Sequence, residues 1–268
     1  MKLTKIFLLV VTVLCLFLGC NYKFPTQPDR PNPIENSKDK LANFVVLGGS
    51  ISSGIMDGAF YKRGQQTAYP NLVGARLDSL IEGNIYGFLS TNNIKGYNLT
   101  ESKKSNPKSK YRLSYRGINT DFPARKYEEG EPIGVFDGSI DTVNNFGIPE
   151  MRSYQVLNSD SLSGNSFYER FASQLSEGSL VETIINKNPS LILLSLGVGD
   201  TYPFILNGAS GRVNPPEDDI RESDATPLGL FEQSIKSIVN QLLSSTEADI
   251  ILPTIIDPTG SFYFNTLK

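Results

Sequence analysis

The stretch FVVLGGSISSG, residues 44–54, decides the fold. Residues 43–47, NFVVL, are a short apolar run that ends on Gly48, Gly49 and Ser50, with another glycine at 54. Such a run, bounded by turn residues, reads as a strand buried on both faces, as parallel sheets require. Three readings of its glycine-rich end are open: a phosphate cradle, the seat of a nucleophile, or a tight turn. A P-loop needs a lysine after its last glycine to reach the phosphates, and here Ile55 and Met56 follow Gly54. The G-x-G-x-x-G fingerprint of dinucleotide binding is not present either.

Working outward, the chain alternates strand and helix signals. Residues 69–80, YPNLVGARLDSL, predict a helix with Pro70 in its first turn and Leu72, Val73, Leu77 and Leu80 on its apolar side. Residues 82–140 are rich in Gly, Asn, Ser and Lys and read as an insertion of loops. Within it, the basic run at 102–110 reads as a solvated loop, and KYRLSYRG, which alternates, as part of a β-hairpin. Residues 141–149, DTVNNFGIP, predict a second core strand. Ser179 and Glu182 form a capping box ahead of Leu180, Val181, Ile184 and Ile185, and Asn188-Pro189 closes that helix. SLILLSLG at 190–197 predicts a third strand. Phe231, Ile235, Ile238, Val239 and Leu242 have helical spacing, and ADIILPTII at 248–256 predicts a fourth strand. This order is that of an α/β domain with a mainly parallel sheet.

The first residues are read separately. Lys2 and Lys5 precede a 13-residue apolar core at 6–18, interrupted only by Thr12, and Gly19-Cys20 follows. This predicts a secretory signal over 1–19, too short for a transmembrane helix. A small residue before the cysteine resembles a bacterial lipoprotein processing site, which implies that Cys20 is lipidated; the alternative is a plain signal peptide. Cys15 lies inside the signal, so of 2 cysteines one remains and no internal disulfide is expected. Residues 20–40, rich in proline, read as a tether, and 41–268 as the folded domain. The formal charge of −3 becomes −5 when Lys2 and Lys5 are removed, which does not favour a nucleic-acid partner.

Three predicted strand ends carry glycine: Gly48-Gly49-Ser50, Asn145-Phe146-Gly147 and Gly197-Val198-Gly199-Asp200. In open parallel sheets, functional groups gather at the carboxyl ends of strands. Converging N–H groups beside a serine hydroxyl make an oxyanion hole. In this arrangement the sequence resembles the GDSL-type, or SGNH, hydrolases. GGSI at 48–51 is similar to their G-D-S-[LI] block with Gly49 in place of Asp, which implies Ser50 as nucleophile. NNFGIPE at 144–150 is similar to the second block, implying Gly147 as an oxyanion donor. GVGD at 197–200 is similar to the third, G-x-N-D, with Gly199 where the family has an Asn donor. MDGAFYKRGQQTAYPNLV at 56–73 is similar to a branch found in Bacteroidetes lipoproteins. The resemblance covers residues 43–265. It implies a three-layer, flavodoxin-like fold, an ester hydrolase without cofactor or metal, acting on acyl esters of lipids or carbohydrates, and a lipid anchor in the bacterial envelope, at the outer membrane. Gly49 and Gly197 support the motif, and Asp200 orders its loop by hydrogen bonds. Asp57 and Tyr69 are placed at the entrance or in surface and packing roles.

The family's last block, D-x-x-H, carries the base that activates serine, and this sequence contains 0 His. The activity expected of these residues is therefore feeble or nil. The same gap leads to the expectation of a family member truncated after strand 248–256, lacking its last strand and helix and leaving that strand as an open sheet edge. The alternative is a non-catalytic envelope lipoprotein that uses the fold to bind a glycan or a partner. The anchor is tested first: Cys20→Ala is expected to move the protein from the membrane to the soluble fraction after signal cleavage, and retention in the membrane fraction overturns it.

Overall fold

The computed structural model describes residues 37–81, 86–98, 107–114, 124–175, 178–255 and 257. The signal, Cys20 and the tether up to residue 36 lie outside the described residues, as do 102–106 of the basic run. In chain order the elements are α1 (Lys38–Leu41), β1 (Phe44–Gly48), α2 (Ser50–Ser53), α3 (Lys62–Gln66), α4 (Tyr69–Leu80), β2 (Lys108–Ser114), β3 (Ala124–Glu129) and β4 (Asn145–Gly147). Then follow α5 (Ser166–Glu169), α6 (Leu180–Asn186), β5 (Leu191–Ser195), α7 (Val198–Leu206), α8 (Leu228–Ser245) and β6 (Asp249–Ile251). Short 3₁₀ turns fill the stretch between β4 and α6.

All five residues of β1 are buried. It pairs in parallel with β4 on one edge and β5 on the other, and β5 pairs in parallel with β6. The sheet order is therefore β4-β1-β5-β6. The two-residue period of β1 splits its side chains between two cores. Val45 and Leu47 join the larger one, with Leu180, Val181 and Ile184 of α6 and Ile238 and Leu242 of α8. Phe44 and Val46 face the other side, where Leu193, Leu77 of α4 and Tyr86 cover them. Parallel pairing thus has helices on both faces of the sheet, an α/β arrangement.

Local signals hold where the sequence carries them. Ser179 and Glu182 make their reciprocal capping box on α6. Asn188 follows that helix at φ +48°, a left-handed turn before Pro189. β2 and β3 form the antiparallel hairpin within the insertion, and β2 takes in residues 108–110, the end of the run read as solvated loop.

Two expectations are corrected. The apolar side predicted for 69–80 is buried only in part: Leu77 packs on the core, whereas Leu72 is 56% exposed and Val73 44%. The helix also buries Pro70, Asn71 and Gly74. Asn71 turns inward because its amide donates to the Gln65 carbonyl at 2.7 Å and its oxygen accepts from Asn145 at 2.6 Å. Gly74 turns inward because Tyr86 lies where a side chain would be, 2.2 Å from an added Cβ. The fourth strand is also shorter than 248–256. Pro253 has no N–H for a ladder, and pairing stops at Ile251. Ile250 packs on the core, whereas Ile251 and Leu252 are about half exposed, at 48% and 50%. Among the described residues, no helix is long and apolar enough to cross a membrane.

One buried and one exposed helix residue give a direct comparison. Ile238→Ala, on the buried face of α8, is expected to cost about 2–5 kcal/mol. Leu72→Ala, exposed on α4, is expected to stay within about 0.5 kcal/mol of wild type. Denaturant unfolding of residues 21–268 reads both.

Candidate functional site

Ser50 is the first residue of α2, directly after the buried inner strand. Gly54 closes this one-turn helix with φ +85°, and its N–H returns to the Ser50 carbonyl. Ser52 Oγ donates to the Gly49 carbonyl and Ser53 Oγ to the Ser50 carbonyl, both at 2.8 Å. Asn145 of β4 donates to the Ser52 carbonyl at 2.9 Å. Ser50 is therefore held on a short, heavily bonded turn between β1 and β4, and its side chain is half-buried.

Ser50 Oγ accepts a hydrogen bond from the Glu150 N–H at 2.9 Å. Glu150 was not singled out by the sequence reading. It sits at φ +63° in a turn where Met151 N–H bonds the Ile148 carbonyl at 3.3 Å. Proline at the second position and positive φ at the third are the marks of a type II turn, which favours glycine there. A non-glycine residue in this region costs about 1–2 kcal/mol, and such strain gathers at functional sites. Pro149 is the legible signal of this turn in the sequence, whereas Glu at the third position is not a residue that marks it.

Gly147, expected as an oxyanion donor, is the last residue of β4. It pairs with Gly48 in the sheet, and a Cβ on it would fall 2.6 Å from Ser53 N. Its lack of a side chain lets β4 pass directly under α2. Gly199 is similar: a Cβ there would lie 2.0 Å from the Met151 carbonyl oxygen. That carbonyl fills the volume a side chain at 199 would occupy, so an Asn could enter only if Met151 moved. Gly49 faces the same carbonyl at an ordinary 3.5 Å from an added Cβ, so position 49 has room for a side chain. Gly197 caps α7 at φ +101°, with Ile255 packed against it, 2.5 Å from an added Cβ.

Asp200 is 1% exposed. Its carboxylate accepts from Ser153 N–H, at 3.1 Å to each oxygen, and from Ser153 Oγ at 2.9 Å. It thereby ties α7 to the turn after Glu150. Burial pushes its carboxyl up, while the Ser153 hydrogen bonds and the Arg152 charge pull it back. Arg152 is itself buried and donates to the carbonyls of Arg221 and Glu222, both at 3.0 Å. Tyr69, at the start of α4, is 37% exposed and hydrogen-bonds Ser195, whose carbonyl takes the Gly49 N–H at 3.1 Å. Burial raises the Tyr69 pKa, so its phenol stays protonated at neutral pH and offers no base. Asp57 accepts from Tyr61 Oη at 3.1 Å, and burial and this bond push the Tyr61 phenol up to about 12. Among the described residues, the Glu150 N–H is the hydrogen-bond partner of Ser50 Oγ, and it is a donor, not a base. Also among them, no group of three or more His, Cys, Asp or Glu side chains could hold a metal ion.

No protein-family model matches the chain, and neither a curated protein nor a solved structure does.

The pH dependence of Asp200 follows from its direction of shift. With the folded value above the ordinary 3.8, its contribution is fully present below the unfolded value and is lost as pH rises through the folded one. Asp200→Asn removes this titration. The stability of wild type relative to the variant is therefore expected to fall as pH rises above the ordinary carboxyl value of 3.8, read by denaturant midpoints at each pH; a flat difference overturns the assignment.

Proposed function

We propose that the folded part is an SGNH-type ester-hydrolase domain, lipid-anchored through Cys20 in a bacterial envelope, with Ser50 at the nucleophile position. The observation that carries this reading is the placement of Ser50 immediately after the inner strand of a parallel sheet, its Oγ met by the Glu150 N–H. The flavodoxin-like class belongs to the same proposal, supported by parallel pairing and by core packing on both sheet faces.

The chemistry available to these residues is limited. A serine hydroxyl attacks an ester carbonyl efficiently only when a base takes its proton, and the chain contains 0 His. The Glu150 N–H donates to Oγ and can steady it or the developing alkoxide. The Met151 carbonyl oxygen takes the space that a side chain at 199 would fill, so position 199 supplies no side-chain donor of the kind the family has there. An oxyanion site with one donor fewer is weaker. This favours the second reading, a non-catalytic binding protein on the same fold.

Restoring a base separates the two. Short-chain nitrophenyl ester hydrolysis by residues 21–268 is expected to lie near background and to rise with added imidazole by about tenfold or more, since general-base catalysis contributes ~10²–10⁴-fold. The increment should vanish in Ser50→Ala. An imidazole effect equal in both proteins removes the hydrolase reading and leaves the binding one.

A further inference from the structure

A cleft of about 320 Å³ lies on the β4 side of the sheet, lined by residues 90–93, 131–132, 134–135, 137 and Arg170, none of them part of the Ser50 site. Its buried lining includes Thr91 and Arg170, and the exposed Asn92, Val135 and Asp137 border it. Arg170 is 4% exposed. Its guanidinium donates to the carbonyls of Gly134 at 2.8 Å, Leu89 at 3.2 Å and Ser90, and it lies 5.3 Å from the Phe60 ring centroid. These bonds staple two loops, at 89–90 and at 134, to the segment after α5, yet they use three of its five N–H groups. Among the described residues no carboxylate comes within ion-pair distance of it. Burial lowers its pKa to about 10 against the raising influence of Asp137. The fold thus keeps a buried cation, with donors to spare, against an open cleft.

The rest of the lining selects the ligand. Thr91 Oγ1 accepts from the Asn93 N–H at 3.2 Å, leaving its own O–H to donate. Asn92 reaches Asp137 at only 3.4 Å, a long bond that a ligand can displace. Glu131 uses one carboxylate oxygen on the N–H groups of Ile94 and Lys95, and its second oxygen remains an acceptor. An anion would meet the carboxylates of Asp137 and Glu131, and a cation would meet Arg170. Neighbouring hydroxyls, each of which donates and accepts, satisfy both sets without net charge. Val135, 77% exposed, gives an apolar wall for a C–H face. The volume suits a mono- or disaccharide, at the lower end of the ~300–1,000 Å³ of small-ligand sites.

We infer that this cleft between residues 90–93, 131–137 and Arg170 is a binding subsite for a neutral sugar. The inference stands apart from the ester-hydrolase reading. The test is a ligand-observed NMR titration of residues 21–268 with glucose, galactose, N-acetylglucosamine and maltose, with glycine and acetate as charged controls. At least one sugar is expected to bind in the millimolar range. Asp137→Asn and Asn92→Ala, both exposed and checked by their melting curves, are expected to weaken it by about tenfold or more, because a hydrogen bond to a charged group is lost or the rim is opened. Ser50→Ala should leave binding unchanged. Failure of all four sugars to bind overturns the inference, as does binding that both rim variants leave intact, or glycine or acetate displacing the sugar.

Discussion

The burial of β1 is the constraint on which the rest of the molecule depends. A strand with no exposed residue must have every N–H and C=O paired within the protein, because an unpaired buried group costs about as much as a lost hydrogen bond. β4 and β5 supply that pairing on its two edges. Because both are parallel to it, each link must cross over the sheet, and the crossovers bring α4 to one face and α6 to the other. The Val45 and Leu47 side needs α6 and α8, and the Phe44 and Val46 side needs Leu77 and Tyr86. The same geometry delivers Ser50 where the inner strand ends, flanked by the ends of its two neighbours.

Around that point a single segment, residues 147–153, makes most of the connections. Gly147 lets α2 lie against β4, and the Glu150 N–H meets Ser50 Oγ. The Met151 carbonyl wedges between Gly49 and Gly199, Arg152 holds the carbonyls of the loop before α8, and Ser153 binds Asp200. Strain at Glu150 is sustained because these contacts over-determine the turn. One conformation of the segment sets both what Ser50 Oγ touches and what fills the space beside Gly199. Ser50 and the Arg170 cleft are accordingly separate matters: the first depends on this turn, the second on loops beside β4.

The sequence alone determined the alternation of strands and helices, the inner position of residues 44–48, the cap of α6 and the arrival of Ser50 at a strand end. Those features arise from short-range causes: runs of apolar residues, a two-residue or 3.6-residue period, and side chains that bond their own backbone a few positions away. Tertiary structure decided which face of α4 is buried, since Asn71 and Gly74 answer to Asn145 and Tyr86 and not to helical periodicity. It decided that β6 stops at Ile251, where the ladder to β5 ends. It also decided which N–H reaches Ser50, across 100 residues of chain, and that the Met151 carbonyl stands where a side chain at 199 would be. Approaches of this kind leave no periodic trace, because they depend on where two distant backbones meet, and that is settled only when the sheet between them has closed.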